Sequence, residues 1–133
     1  MSIVAIETAL EQRLLTMPGR PPVAWEDVTY KPTTGTAYLA VHSLRNTPID
    51  HAITLDSRED RGVLQITVWH PAGQGKVAAT QKAEAVAAHF AAGLTLTAGA
   101  KRVLVYRSPA IASCMPDDAG WLSVPVSISW SAT

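Results

Sequence analysis

The run Leu122-Ser123-Val124-Pro125-Val126-Ser127-Ile128-Ser129-Trp130 constrains the fold more than any other part of the chain. Leu122, Val124, Val126, Ile128 and Trp130 point one way, and Ser123, Pro125, Ser127 and Ser129 point the other. A period of two is that of a half-buried strand, with one face on a core and the other on solvent or a partner. Pro125 has no N–H to give a neighbour, which predicts an edge strand or a bulge there. Any fold must therefore supply a layer to cover the apolar side of this strand.

Two helical patterns offer that layer. Ile3, Ile6, Leu10, Leu14 and Met17 recur at three- and four-residue steps, which puts them on one helix face. Ser2 is a candidate cap, Glu7 lies toward the helix end that favours an acid, and Pro18-Gly19 stops the helix. A proline-rich connector, Arg20 to Trp25, follows in an extended path, with Trp25 as its anchor. The second pattern spans Lys76 to Ala92, where Ala79, Ala83, Val86, Ala87 and Phe90 form a narrow apolar stripe before Gly93.

Strand patterns fill the intervals. Tyr38 to Leu44 alternates loosely, and Val63 to Trp69 reads as a central strand with apolar side chains on both faces. Short strands are predicted at Leu94 to Thr97 and Arg102 to Arg107. The polar stretch Arg45 to Gly62 reads as a long hairpin or mobile loop, with a short strand around Ala52 to Leu55. The expectation is a single α+β domain over residues 1–133 with a long polar loop or hairpin at about 45–62. Its two helices pack on a mainly antiparallel or mixed sheet of about four to five strands, in the order helix, strands, helix, strands.

Charge narrows the function. The 133 residues carry 11 Lys plus Arg and 11 Asp plus Glu, a formal net charge of zero. Charged residues are 17% of the chain, against about 25% in an average soluble domain. A neutral chain lacks the footprint for gripping phosphate backbones, so sequence-specific nucleic-acid binding is not expected. No apolar run approaches the ~18–20 residues of a membrane span, and the first residues lack the basic start of a signal peptide. Low charge is also the property of a surface covered by other protein, or of a quiet alanine-rich monomer; composition leaves both open.

The search for catalytic residues returns negatives. His42, His51, His70 and His89 have no zinc spacing, and Cys114 has no cysteine partner, so neither a metal site nor a disulfide is expected. Gly73-Gln74-Gly75-Lys76-Val77 lacks the Gly-Lys-Ser/Thr ending of a phosphate loop, and Ala78 stands where a dinucleotide fingerprint needs glycine. A strand-to-helix turn explains it. Asp117-Asp118-Ala119-Gly120 reads as a turn before the last strand rather than a catalytic carboxylate pair. No catalytic residue, cofactor or enzyme activity is expected.

As a whole, the chain resembles a family of small phage proteins related to the tail terminators of long-tailed phages. The resemblance runs through Leu14-Leu15-Thr16-Met17-Pro18-Gly19, Pro22-Val23-Ala24-Trp25-Glu26 and Arg61-Gly62-Val63-Leu64-Gln65-Ile66-Thr67-Val68-Trp69. It continues in Pro71-Ala72-Gly73-Gln74-Gly75, His89-Phe90 and the run Gly120 to Trp130. It implies a homo-oligomer, a hexameric ring on the head-proximal end of the tail tube. That ring would end tube polymerisation and join the tail to a head-tail connector or neck protein. It further implies a place in the virion tail, assembly in the host cytoplasm, and no reaction or cofactor.

Within that reading, five of the six residues Asp56 to Arg61 are charged, and Asp56, Arg58, Glu59, Asp60 and Arg61 are the candidate interface. A solvated surface hairpin is the alternative. Reversing Arg58 and Arg61 is then expected to impair assembly and leave the fold intact. The serine face of the last strand is a second candidate contact, and Trp25, Trp69, Trp121 and Trp130 are expected mainly in the core. Another neck or tube protein, or a small ligand-binding domain or enzyme at the Gly73–Gly75 turn, are the competing functions.

Overall fold

The computed structural model describes residues 3–50, 58–117 and 119–133. Among them lie two helices, α1 (Ile3–Leu15) and α2 (Val77–His89). Nine strands accompany them: β1 (Val23–Ala24), β2 (Tyr38–Arg45), β3 (Ile49–Asp50), β4 (Arg58–Pro71), β5 (Thr95–Ala98), β6 (Lys101–Val105), β7 (Ala110–Ile111), β8 (Met115–Pro116) and β9 (Trp121–Ala132). The α+β class holds, but the sheet has nine strands rather than four or five. The missed ones are two-residue strands, too short to carry a period. In space the strand order is β1-β2-β4-β9-β6-β5, with β3 on β4 and with β7 and β8 on β9. All pairings are antiparallel except β1 with β2, so the sheet is mixed.

The middle of the sheet is β4 and β9, paired from Asp60↔Ala132 to Pro71↔Trp121. Val124, Val126, Ile128, Trp130 and Ala132 of β9 meet Leu64, Ile66 and Val68 of β4 on one buried face. Ile6, Leu10 and Leu14 of α1 and Ala79, Ala83 and Val86 of α2 cover that face. Each larger aliphatic side chain so buried contributes about 1.5–3 kcal/mol. Phe90, just past α2, completes the core.

The sheet curls around α1. This helix packs along β5, yet its Glu7 reaches Ser43 and Arg45 of β2, strands that are far apart in the sheet order. Near the helix ends, Arg13 Nε and Nη2 donate to His89 O at 3.1 and 3.0 Å, and His89 Nε2 lies 2.7 Å from Arg13 O. These bonds occupy carbonyls that the last turns leave without helical partners.

Pro125 does not lie on an edge strand. It pairs with Thr67 in the centre of the sheet. Its other flank explains the tolerance: there β9 is covered only by the short β7, and Ala112 N donates to Pro125 O at 2.9 Å. An antiparallel pair would return a bond from residue 125, which proline cannot give, and β7 ends at Ile111.

Candidate assembly interface

The charged segment is not a loop from Arg58 onward. Arg58 to Arg61 form the first residues of β4, and β3 folds back on them through Ile49↔Glu59 and Asp50↔Arg58. Asp56, and the strand expected around Ala52 to Leu55, lie outside the described residues. Alternation on β4 sends Asp60 inward and Glu59 and Arg61 to the face that carries no helix.

Asp60 is 2% exposed, and two cations hold it. Lys101 Nζ stands 2.8 Å from Oδ2, while Arg58 Nε and Nη2 each stand 2.9 Å from Oδ1. Burial pushes the Asp60 carboxyl up, but the hydrogen bonds from Lys101 and Arg58 outweigh it and hold it below its usual value. Lys101 therefore ties the start of β6 to β4, through this carboxylate and through Arg58 O at 3.3 Å, and Arg58 braces the same buried carboxylate from within β4. Lys101, 41 residues away in sequence, carries no local signal of this role.

Arg61 is arranged differently. Its Nε lies 3.0 Å from Glu59 Oε2 without an aligned hydrogen bond, and its side chain is 41% exposed. The Arg61 guanidinium stands 5.9 Å from the Tyr106 ring centroid, and that of Arg107 stands 5.0 Å from it. Arg102, Leu104 and Tyr106 alternate with buried Val103 and Val105, so they share the helix-free face with Arg61. Register aligns Arg61, Ser131 and Leu104 in one row across three strands. The arginines and the exposed tyrosine of this cluster are residue types enriched at protein interfaces.

The tryptophans divide. Trp130 is fully buried in the core, and Trp25 packs half-buried against it. Trp69 and Trp121 depart from the expectation: both sit half-buried on the helix-free face, around Tyr38. Tyr38 stacks on Trp69 with centroids 6.3 Å apart, meets Trp121 edge-on at 5.4 Å, and touches Tyr30 at 4.9 Å. Cross-strand neighbours bring them together, since Tyr38 pairs with Trp69 and Trp121 pairs with Pro71.

Among the described residues there is no group of three or more His, Cys, Asp or Glu able to hold a metal. Gly73 and Gly75 both take positive φ in a turn before α2. Asp117 Oδ1 accepts from Ala119 N and Trp121 N, both at 2.9 Å, which makes it a turn residue. No helix among the described residues is long and apolar enough to cross a membrane. An open groove of about 680 Å³ lies between α1 and β5, lined by Val4, Thr8, Gln12 and Leu96.

Fold and surface together define a small α+β protein with two helices on one side of a mixed sheet and an aromatic and arginine-rich face on the other. The chain belongs to the family of phage tail terminator proteins, whose profile matches residues 5–130. That is a family of viral tail structural proteins, not of enzymes. A search of curated proteins gave no match. Among solved structures, one carrying only a serial designation is 27% identical with a TM-score of 0.81, covering all of this chain and 96% of that one. A chain from the virion of a native gene transfer agent particle is 14% identical with a TM-score of 0.67, covering 98% of each, and shares the fold.

Proposed function

We propose that this chain closes the head-proximal end of the phage tail tube as a hexameric ring. The ring ends tube polymerisation and offers a surface to the head-tail connector or neck protein. The mechanism is geometric and needs no cofactor: one side of the ring reproduces the docking surface of a tail tube subunit, and the other does not propagate it. Assembly takes place in the host cytoplasm, and the product stays in the virion tail. The family match across residues 5–130 carries this reading. The helix-free face, with Glu59 and Arg61 at one end and the Tyr38–Trp69–Trp121 cluster at the other, supplies contact surface.

Electron microscopy of phage particles lacking this chain tests the proposal. Overlong tails, or tails of any length left unjoined to heads, are the expected result. Tails of normal length joined to heads would overturn it.

A further inference from the structure

The charges that cancel in the sum are separated in space. Glu7 and Glu11 of α1 and Glu26, just after β1, gather around Ser43 of β2. Glu7 Oε2 accepts from Ser43 Oγ at 2.6 Å, and Glu26 Oε1 accepts from Ser43 N at 2.9 Å. That N–H is open to Glu26 because β1 covers β2 only at Leu39 and Ala40. Arg45 binds Glu7 through two nitrogens, at 2.7 and 2.8 Å, and so is engaged within this group. Glu11 is crowded by Glu7 and Glu26, and its carboxyl is raised by burial first and then by these two neighbours. This flank is acidic and has no cation facing Glu11 among the described ion pairs.

Arg102 and Arg107 form the opposite charge around Tyr106 on the helix-free face, beside Arg61, whose charge is matched by Glu59 at 3.0 Å. In the sheet order this face is centred on β6, three strands from β2, or about 14 Å at the usual strand spacing. The two patches look in different directions from one chain.

We infer that the arginine face around Tyr106 of one copy docks on the Glu7–Glu11–Glu26 flank of a second copy, head to tail. Charge complementarity selects this occupant: a symmetric contact through either patch would oppose like charges, whereas a head-to-tail contact pairs guanidinium with carboxylate at each step. A contact between two different patches repeats, so it closes into a ring or grows into a filament. Tyr106 and Leu104, both more than a third exposed, supply apolar area within the charged patch. The inference rests on the ring reading and names the contact that would build it.

Two variants test it by exchange of charge. R102E/R107E makes both patches acidic, and E11K/E26K makes both basic; circular dichroism melts confirm that each folds. Sedimentation velocity in low salt is expected to show the wild type assembling beyond a dimer, and each variant weakened about tenfold or more. An equimolar mixture of the two variants should assemble again, because every contact in an alternating chain is complementary. The contact is overturned if the mixture stays monomeric, if either variant assembles like the wild type, or if the wild type is still monomeric at about 1 mM. Retention of a short DNA duplex by the wild type but not by R102E/R107E, without co-assembly on mixing, assigns the arginines to nucleic acid and also overturns it. Failure here alongside overlong tails on deletion rejects the contact and leaves the terminator reading standing. Normal tails on deletion reject that reading while the mixing result still judges the contact.

Discussion

Replacing Gly62 with alanine sets two physical effects against each other. Gly62 lies in the middle of β4 with ordinary strand conformation, since it is absent from the positive-φ glycines. Chain entropy alone therefore predicts that alanine stabilises the protein by about 0.4–1 kcal/mol. Packing predicts the reverse. A Cβ at this position would stand 2.6 Å from Trp130 Cζ2, 2.9 Å from Trp130 Cε2 and 2.8 Å from the backbone oxygen of Leu44. Trp130 is fully buried and is the largest such side chain in the core, and it faces Gly62 directly across the β4–β9 ladder. Neither the indole nor the β2 backbone is a flexible end that can swing aside. Overpacking of this kind costs about 1–3 kcal/mol, so G62A should lose about 1–2 kcal/mol net. For a chain of this size that lowers the melting temperature by roughly 4–8 °C. Thermal and urea melts of G62A, W130F and the double variant measure it. Phenylalanine lacks the outer ring atoms that clash, so the cost of G62A should fall by at least about 0.5 kcal/mol in the W130F background. A G62A protein that melts at or above the wild type, or a strictly additive cycle, would refute the packing argument.

Other consequences follow from the same atoms. Because the Asp60 carboxyl is held below its usual value, its stabilisation is complete above the unfolded value of about 3.9 and is lost as pH falls through the folded one. D60N should cost about 1–3 kcal/mol at pH 7 and flatten the fall of the urea midpoint between pH 5 and 2; an equally steep fall would remove Asp60 as its source. R58E sets an acid beside Asp60 and should lower stability by about 1–2 kcal/mol, whereas R107E should melt like the wild type. The expectation that Arg58 and Arg61 can be reversed together without harm to the fold is thereby revised: Arg58 is a brace, and Arg102 and Arg107 are the better probes of assembly. Equal melting of R58E and wild type would reverse that assignment.

The elements that the sequence reveals are those whose burial follows a local period. Ile6, Leu10 and Leu14 mark α1 by spacing alone, and Val124, Val126, Ile128 and Trp130 of β9 are buried as alternation requires. The first third of β4 was hidden by its own charges. Its inward position is Asp60, which a hydropathy pattern reads as solvent-facing. Arg58 two residues before it and Lys101, brought by the β5–β6 turn, together make that burial tolerable. The arginine face was hidden for a related reason: Arg61 and Arg107 meet at Tyr106 only because β9 lies between β4 and β6. Long-range strand order is not written in any window of the chain. Pro125 misled in the other direction, since its local rule is sound but concerns one flank of a strand rather than the whole of it.

Zero net charge then acquires a physical meaning that composition left open. A chain with few charges spread evenly would have no preferred orientation toward a second copy. Here Glu11 and Glu26 stand at one flank and Arg102 and Arg107 on another face, while Asp60 is matched internally by Arg58 and Lys101. The internal set is half-buried or better and resists salt; the two outer patches are exposed and are screened over a Debye length of about 8 Å at physiological ionic strength. Raising the salt should therefore weaken contacts between copies well before it affects the melting temperature. On the contact inferred above, the two sets of charges separate assembly from folding within one small chain, as a protein that folds first and docks later requires.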